Sequence, residues 1–158
     1  MYDYKFYLRR VIDGDSIEGD IDLGFDTYLR KVIVRLQGID APEIRRLSYI
    51  DDDELNDRIK AYGKHVKRWL EQELQDKILY IQTEYDDEKD KYGRILGDLY
   101  VINDGPPLQS VNEKMVDNSL AVVYNGSSSR EELYSVHVRN MNELILKGLY
   151  EEQSGDTN

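Results

Sequence analysis

The chain has 158 residues, 40% of them hydrophobic and 34% charged, with a formal net charge of −11 and no cysteine. That length holds one domain with a sizeable core, and the apolar share is too high for a wholly disordered chain. The missing thiols exclude a disulfide scaffold, a cysteine-ligated zinc finger and a thiol nucleophile, and no run of 18 apolar residues is present to span a membrane as a helix.

The negative charge argues against tight, non-specific coating of DNA. The acid is concentrated, however: residues 51–57 and 84–90 hold five acidic groups each, and 151–158 hold three. The remainder is close to neutral, so a phosphate-bearing substrate stays compatible with the composition. Residues 1–10 lack the apolar centre of a signal peptide. A cytoplasmic protein is expected, with a secreted mature form that has lost its leader as the alternative.

In chain order, residues 4–12 alternate around Phe6, Leu8 and Arg10 and predict a strand. Residues 17–23 place Ile17, Gly19, Ile21 and Leu23 on one side, Gly24 marks a turn, and 28–36 carry Val32, Ile33 and Val34. These three segments predict an antiparallel meander. The polar, acidic residues 44–57 are expected to form a loop. Residues 58–75 place Ile59, Tyr62, Val66, Trp69, Leu70 and Leu74 at helical spacing, with Trp69 expected in the core. Two more strands are expected at 78–85, with Ile78, Tyr80, Gln82 and Glu84 on one face, and at 95–102. A turn is expected at 103–107. Two capping boxes, Ser110-x-x-Glu113 and Ser129-x-x-Glu132, predict two final helices, with Gly148 as the stop of the last.

The order β-β-β-α-β-β-α-α, five short strands with a helix after the third, is that of a five-stranded Greek-key OB barrel with three helices. A single domain is expected over 1–152, followed by a disordered tail at 153–158.

Three segments carry unusual chemistry. Asp13-Gly14-Asp15-Ser16 joins the first two strands; taken alone, it is also what an ordinary hairpin turn uses. Arg35 to Glu43, with Asp40, Ala41 and Pro42 inside it, closes the third strand. Pro42 pushes Ala41 toward an extended conformation, which stops the strand and presents Asp40 and Glu43 at its end. Asp90-Lys91-Tyr92-Gly93-Arg94 links the fourth and fifth strands. Converging carboxylates such as Asp15, Asp40 and Glu43 repel one another unless a cation joins them, and hard oxygens suit Ca²⁺. Arg35 and Arg94 offer planar donor forks that fit a phosphate.

The ordered set resembles the staphylococcal nuclease (thermonuclease) family over nearly the whole chain. The resemblance implies an OB barrel and a calcium-dependent endonuclease acting on DNA, RNA or both. It implies Asp15, Asp40 and the Ala41 carbonyl as Ca²⁺ ligands, with Asp13 in an outer carboxylate shell. It implies Glu43 as general base, Arg35 and Arg94 as the phosphate clamp, and Lys91 and Tyr92 as substrate contacts. Ala41 stands where family members often carry a hydroxyl residue. From their closeness to Glu43 in sequence, Asp51, Asp52, Asp53, Glu54 and Asp57 are expected at the rim of the site, with Arg45 and Arg46 nearer to it. A monomer without membrane partners is expected. The alternative is an OB module that binds nucleic acid or protein without cutting. No zinc site is expected from His65 and His137, which lie on separate predicted helices without cysteine.

Overall fold

The alternation in the first three strands sends one set of apolar side chains to a common interior. The computed structural model describes residues 2–83, 93–102 and 109–153. The elements are β1 (Tyr2–Asp13), β2 (Ser16–Gly24), β3 (Thr27–Leu36), β4 (Ile39–Asp40), α1 (Asp53–Leu74), β5 (Leu79–Thr83), β6 (Ile95–Val101), α2 (Val111–Asp117), β7 (Val122–Val123) and α3 (Arg130–Leu146). β1, β2 and β3 form the expected antiparallel meander. β5 returns to β1, with Phe6 opposite Leu79, and β6 runs parallel to β3, with Val34 opposite Ile95. The sheet therefore closes in the order β1-β2-β3-β6-β5. It is a five-stranded closed OB-like barrel with three helices.

Phe6, Ile17, Ile21, Val34, Leu36, Leu79, Ile81 and Leu99 are buried in the core. β1 does not alternate to its end. Its pairing with β2 shifts register between Leu8 and Arg10 and again between Val11 and Asp13. Each extra residue reverses the faces, so Val11 is buried and Arg10 is exposed.

Several expectations need correction. The helix predicted from residue 58 begins at Asp53, so Asp53, Glu54 and Asp57 are helical and not loop. Asp52 is the N-cap, and its carboxylate accepts the Leu55 N–H at 3.0 Å. Acids in a first turn complement the positive end of the helix, which is why an acidic run starts a helix here. Two very short strands, β4 and β7, pair with each other outside the barrel. In β5 the buried residues are Leu79, Ile81 and Thr83, and Ile78 lies outside the strand, exposed. The expected end of that strand at Glu84 and Tyr85, the turn at 103–107 and residues 154–158 of the tail lie outside the described residues.

The helices are fastened by named groups. α1 lays Ile59, Tyr62, Val66 and Leu70 on the barrel, with Trp69 partly buried against the same core. The buried Asn56 side chain bonds both the N–H and the carbonyl of Leu47, tying the 44–52 loop to α1. Asn112 of α2 accepts from Leu99 N–H and donates to the carbonyls of Gln37 and Gly97. Ser110 caps α2 through Glu113 N–H, but the reciprocal box forms only at Ser129 and Glu132. α3 ends as expected at Gly148, whose φ of +71° suits glycine. There Gly148 N–H bonds Ile145 and Leu149 N–H bonds Leu144, the two bonds of a Schellman stop.

Candidate active site

The end of β1, the start of β2, the end of β3 and the start of β6 meet at one end of the barrel. Register brings their charged residues together. Ser16 pairs with Arg35, and Arg35 pairs with Leu96 on β6. Asp15 therefore lies one residue from the partner of Arg35, and Arg94 stands immediately before β6. The Asp15 carbonyl accepts the Leu36 N–H at 2.8 Å, which locks the hairpin to the third strand.

Asp13 and Asp15 share a turn in which the Asp13 carboxylate accepts the Asp15 N–H at 3.1 Å. The Asp15 carboxylate is buried. It accepts the Ala41 N–H at 2.9 Å and the Ser16 hydroxyl at 3.3 Å. Gly14 makes this approach possible, since a Cβ there would lie 2.7 Å from the Ala41 Cβ. Arg35 is 12% exposed at its side chain, and its Nη2 faces Asp15 at 3.4 Å and Asp40 at 3.6 Å. Its Nη1 donates to the Leu36 carbonyl at 2.8 Å, which fixes the guanidinium plane.

Glu43 directly follows Pro42, three residues beyond the end of β4 at Asp40. Its backbone is pressed by α1: a Cβ on Gly63 would sit 2.1 Å from the Glu43 carbonyl oxygen. No periodicity signals that contact. The Glu43 carboxyl is half-buried, with Arg45 Nε at 3.6 Å. Burial pushes its pKa up, the Asp13 charge adds to that, and Arg45 opposes it. Asp15 is pushed well up by burial, with Arg35 opposing and Asp13 adding. In both carboxyls the loss of solvent is the leading cause, and Asp13 and the arginines act in opposite directions. Tyr49 in the 44–52 loop is raised by burial and then by the Glu43 charge, with Arg130 opposing. The sequence reading did not single out Tyr49.

Asp13, Asp15, Arg35, Asp40, Ala41 and Glu43 are therefore brought together at this end of the barrel. Lys91 and Tyr92 lie outside the described residues. Of the acids expected at the rim, Asp52 caps α1 and Asp53 pairs with Arg46, so both are engaged in holding the helix start. His65 joins an aromatic cluster, its ring 4.6 Å from that of Tyr150. For His137, too, sequence reasoning missed the contact: its Nε2 lies 2.7 Å from Asp40 Oδ2. The available signal was a polar residue on the stripe His137, Met141 and Leu144, the buried face of α3.

Among the described residues, no three acidic or imidazole side chains stand close enough to form a ready metal cluster. The donor set nevertheless fits a hard cation. Asp15 and Asp40 present oxygens toward one point, now faced by Arg35, and a Ca²⁺ site accepts a few protein oxygens completed by waters.

Fold and site together define an OB-like barrel with a carboxylate–arginine cluster at one end. The staphylococcal nuclease homologue family matches residues 33–143, more than half of the chain, and the chain belongs to that family. The match contains Arg35, Asp40, Glu43 and Arg94, while the Asp13–Asp15 turn precedes it. A protein of Oryza sativa subsp. japonica described as a probable staphylococcal-like nuclease is 34% identical over 110 residues. The aligned segment is 70% of this chain and 27% of the rice protein, so the chain spans about a quarter of that relative's length. Among the described residues, no helix is long and apolar enough to cross a membrane.

Proposed function

We propose that this chain is a calcium-dependent endonuclease that hydrolyses phosphodiester bonds in DNA, RNA or both. One observation carries the reading: a single Arg35 nitrogen faces both Asp15 and Asp40, at 3.4 and 3.6 Å, where the chain turns toward Glu43. Asp15, Asp40 and the Ala41 carbonyl would hold Ca²⁺, with Asp13 behind them. When bound, the ion supplies positive charge for the phosphate oxygens and restores neutrality to a pocket rich in carboxylates.

The protein's own groups do the rest. Glu43, whose pKa burial raises from its ordinary value, accepts a proton from a water as its oxygen attacks phosphorus. Arg35, and Arg94 from the start of β6, donate to the phosphate oxygens as charge accumulates in the five-coordinate transition state. The bond from phosphorus to the leaving ester oxygen breaks, and that oxygen takes a proton from solvent.

The deciding experiment incubates the purified chain with single-stranded DNA, duplex DNA and RNA in Ca²⁺, Mg²⁺ or EDTA. Cleavage is expected with Ca²⁺ and not with EDTA. Glu43→Gln and Arg35→Lys should each slow it by about 10²–10³-fold, the usual cost of losing one preorganised transition-state contact. Cleavage by Glu43→Gln at the wild-type rate would refute the assigned base. A folded wild-type chain that binds these polymers without cutting them would instead be an OB binding module.

A further inference from the structure

We infer that His137 is a positioning residue: its Nε2–H fixes Asp40 so that one carboxylate oxygen is held by α3 and the other is left for the cation. The inference rests on the calcium reading above and adds a residue to it. His137 is 5% exposed, and its Nε2 lies 2.7 Å from Asp40 Oδ2. The other Asp40 oxygen, Oδ1, is the one that faces Arg35 at 3.6 Å. The two oxygens thus have separate tasks, and Asp40 presents a single oxygen toward Asp15.

The rest of the geometry agrees. The other ring nitrogen of His137, Nδ1, is buried and has no hydrogen-bond partner among the described residues. Asp40 is therefore the polar group that the imidazole serves. The Asp40 backbone is held independently, because it pairs with Val122 of β7, and the next ladder bond runs from Tyr124 N–H to the Gly38 carbonyl at 2.8 Å. If His137 only fastened α3 to the barrel, that work would already be shared with β7. The distinctive effect of the imidazole is on the rotation of the Asp40 carboxylate. Carboxylates that bind metals are commonly oriented by such outer hydrogen bonds, whose loss costs about 10–100-fold in metal affinity.

The test uses two substitutions of nearly equal shape. In His137→Gln the side-chain amide can donate from near the Nε2 position; in His137→Met nothing can. Ca²⁺ is titrated into the full chain by calorimetry, and cleavage is measured at saturating Ca²⁺. His137→Gln should bind Ca²⁺ close to wild type, and His137→Met about 10–100-fold more weakly. Both should recover most of the wild-type kcat once Ca²⁺ is saturating. Melting curves in EDTA show whether each variant is folded. If His137→Met does not fold, His137→Asn, whose amide falls short of the Nε2 position, replaces it. Equal Ca²⁺ affinity in wild type and His137→Met would overturn the positioning role and leave the calcium reading intact. Equally weak binding by folded Gln and Met variants would overturn the hydrogen bond as the cause. A wild-type chain that binds no Ca²⁺ would overturn both readings, and it is recognised before any variant is compared.

Discussion

Asp15 and Asp20 lie at two places on the same hairpin, each almost buried and each beside arginine, yet they are treated in opposite ways. Asp20 takes Arg9 through Nε and Nη2 at 2.8 and 3.1 Å, Arg30 at 2.8 Å and the Lys31 N–H at 2.9 Å. Those donors hold its carboxyl far below the usual range, Arg9 first. Asp15 has one arginine, at 3.4 Å and shared with Asp40 at 3.6 Å, and burial pushes it up. A carboxylate that serves the fold is given enough donors to be content as it stands. Asp15, which we propose holds the cation, is given fewer donors, and a bound cation would supply the positive charge in their place.

The sharpest test exchanges the two. Asp15→Asn should slow Ca²⁺-dependent cleavage by about 10²-fold or more while leaving the chain folded. Asp20→Ala should lower the melting temperature and leave the cleavage rate of the folded protein unchanged. A catalytic defect in Asp20→Ala, measured well below its melting point, would break the distinction.

Acid titration in EDTA separates the same pair. Asp15 and Glu43 have raised values when folded, so the native chain holds more protons than the unfolded chain above the ordinary carboxylate pKa of about 4. Their contribution is complete below that value and is lost as pH rises through their own. Melting temperature should therefore increase as pH falls from neutrality toward that value, and Asp15→Asn should flatten the rise. Asp20 acts in the other direction: its contribution is present above about pH 4 and is lost as pH falls further. Asp20→Ala should flatten that acid limb.

Gly63→Ala probes the backbone under Glu43. Helix preference alone would favour alanine by about 1 kcal/mol, but the added Cβ meets the Glu43 carbonyl at 2.1 Å. A net loss of about 1–3 kcal/mol is expected from the overpacking, read by denaturant melts, together with slower cleavage because Glu43 shifts. The smallest effect belongs to Asp52, a carboxylate of the structural kind. Asp52→Ala should cost about 1 kcal/mol and Asp52→Asn almost nothing, with cleavage unchanged in both. A large gain in activity from Asp52→Asn would return the acidic segment to the role of repelling substrate.

The barrel was legible in the sequence because four of its strands run seven or more residues, long enough for apolar side chains to recur on one face. Its limits lie where the physics is not periodic. A bulge at Arg9 costs one residue and reverses the faces as far as the next register shift, between Val11 and Asp13. β4 and β7 are two residues each, too short for alternation to register. The start of α1 was hidden because consecutive acids suit a solvated loop as well as a helix N-terminus. In the site, Asp15, Arg35, Asp40 and Glu43 were legible as residue types whose chemistry agrees. Gly63 and His137 were not, because each matters only through contact with a residue far away in the chain: His137 and Asp40 are 97 positions apart.

Barrel closure also has a consequence in time. Phe6 of β1 finds Leu79 of β5 as its partner, so the first strand waits for more than seventy further residues to be made. At about 5–20 residues per second, that wait is roughly 4–15 s. During it the β1-β2-β3 hairpins can form, but both outer strands lack partners. Nascent chains are thus most prone to cross-pairing with one another during this interval. The clock stops with the arrival of β5 and β6, well before α3 leaves the ribosome to bring His137 to Asp40.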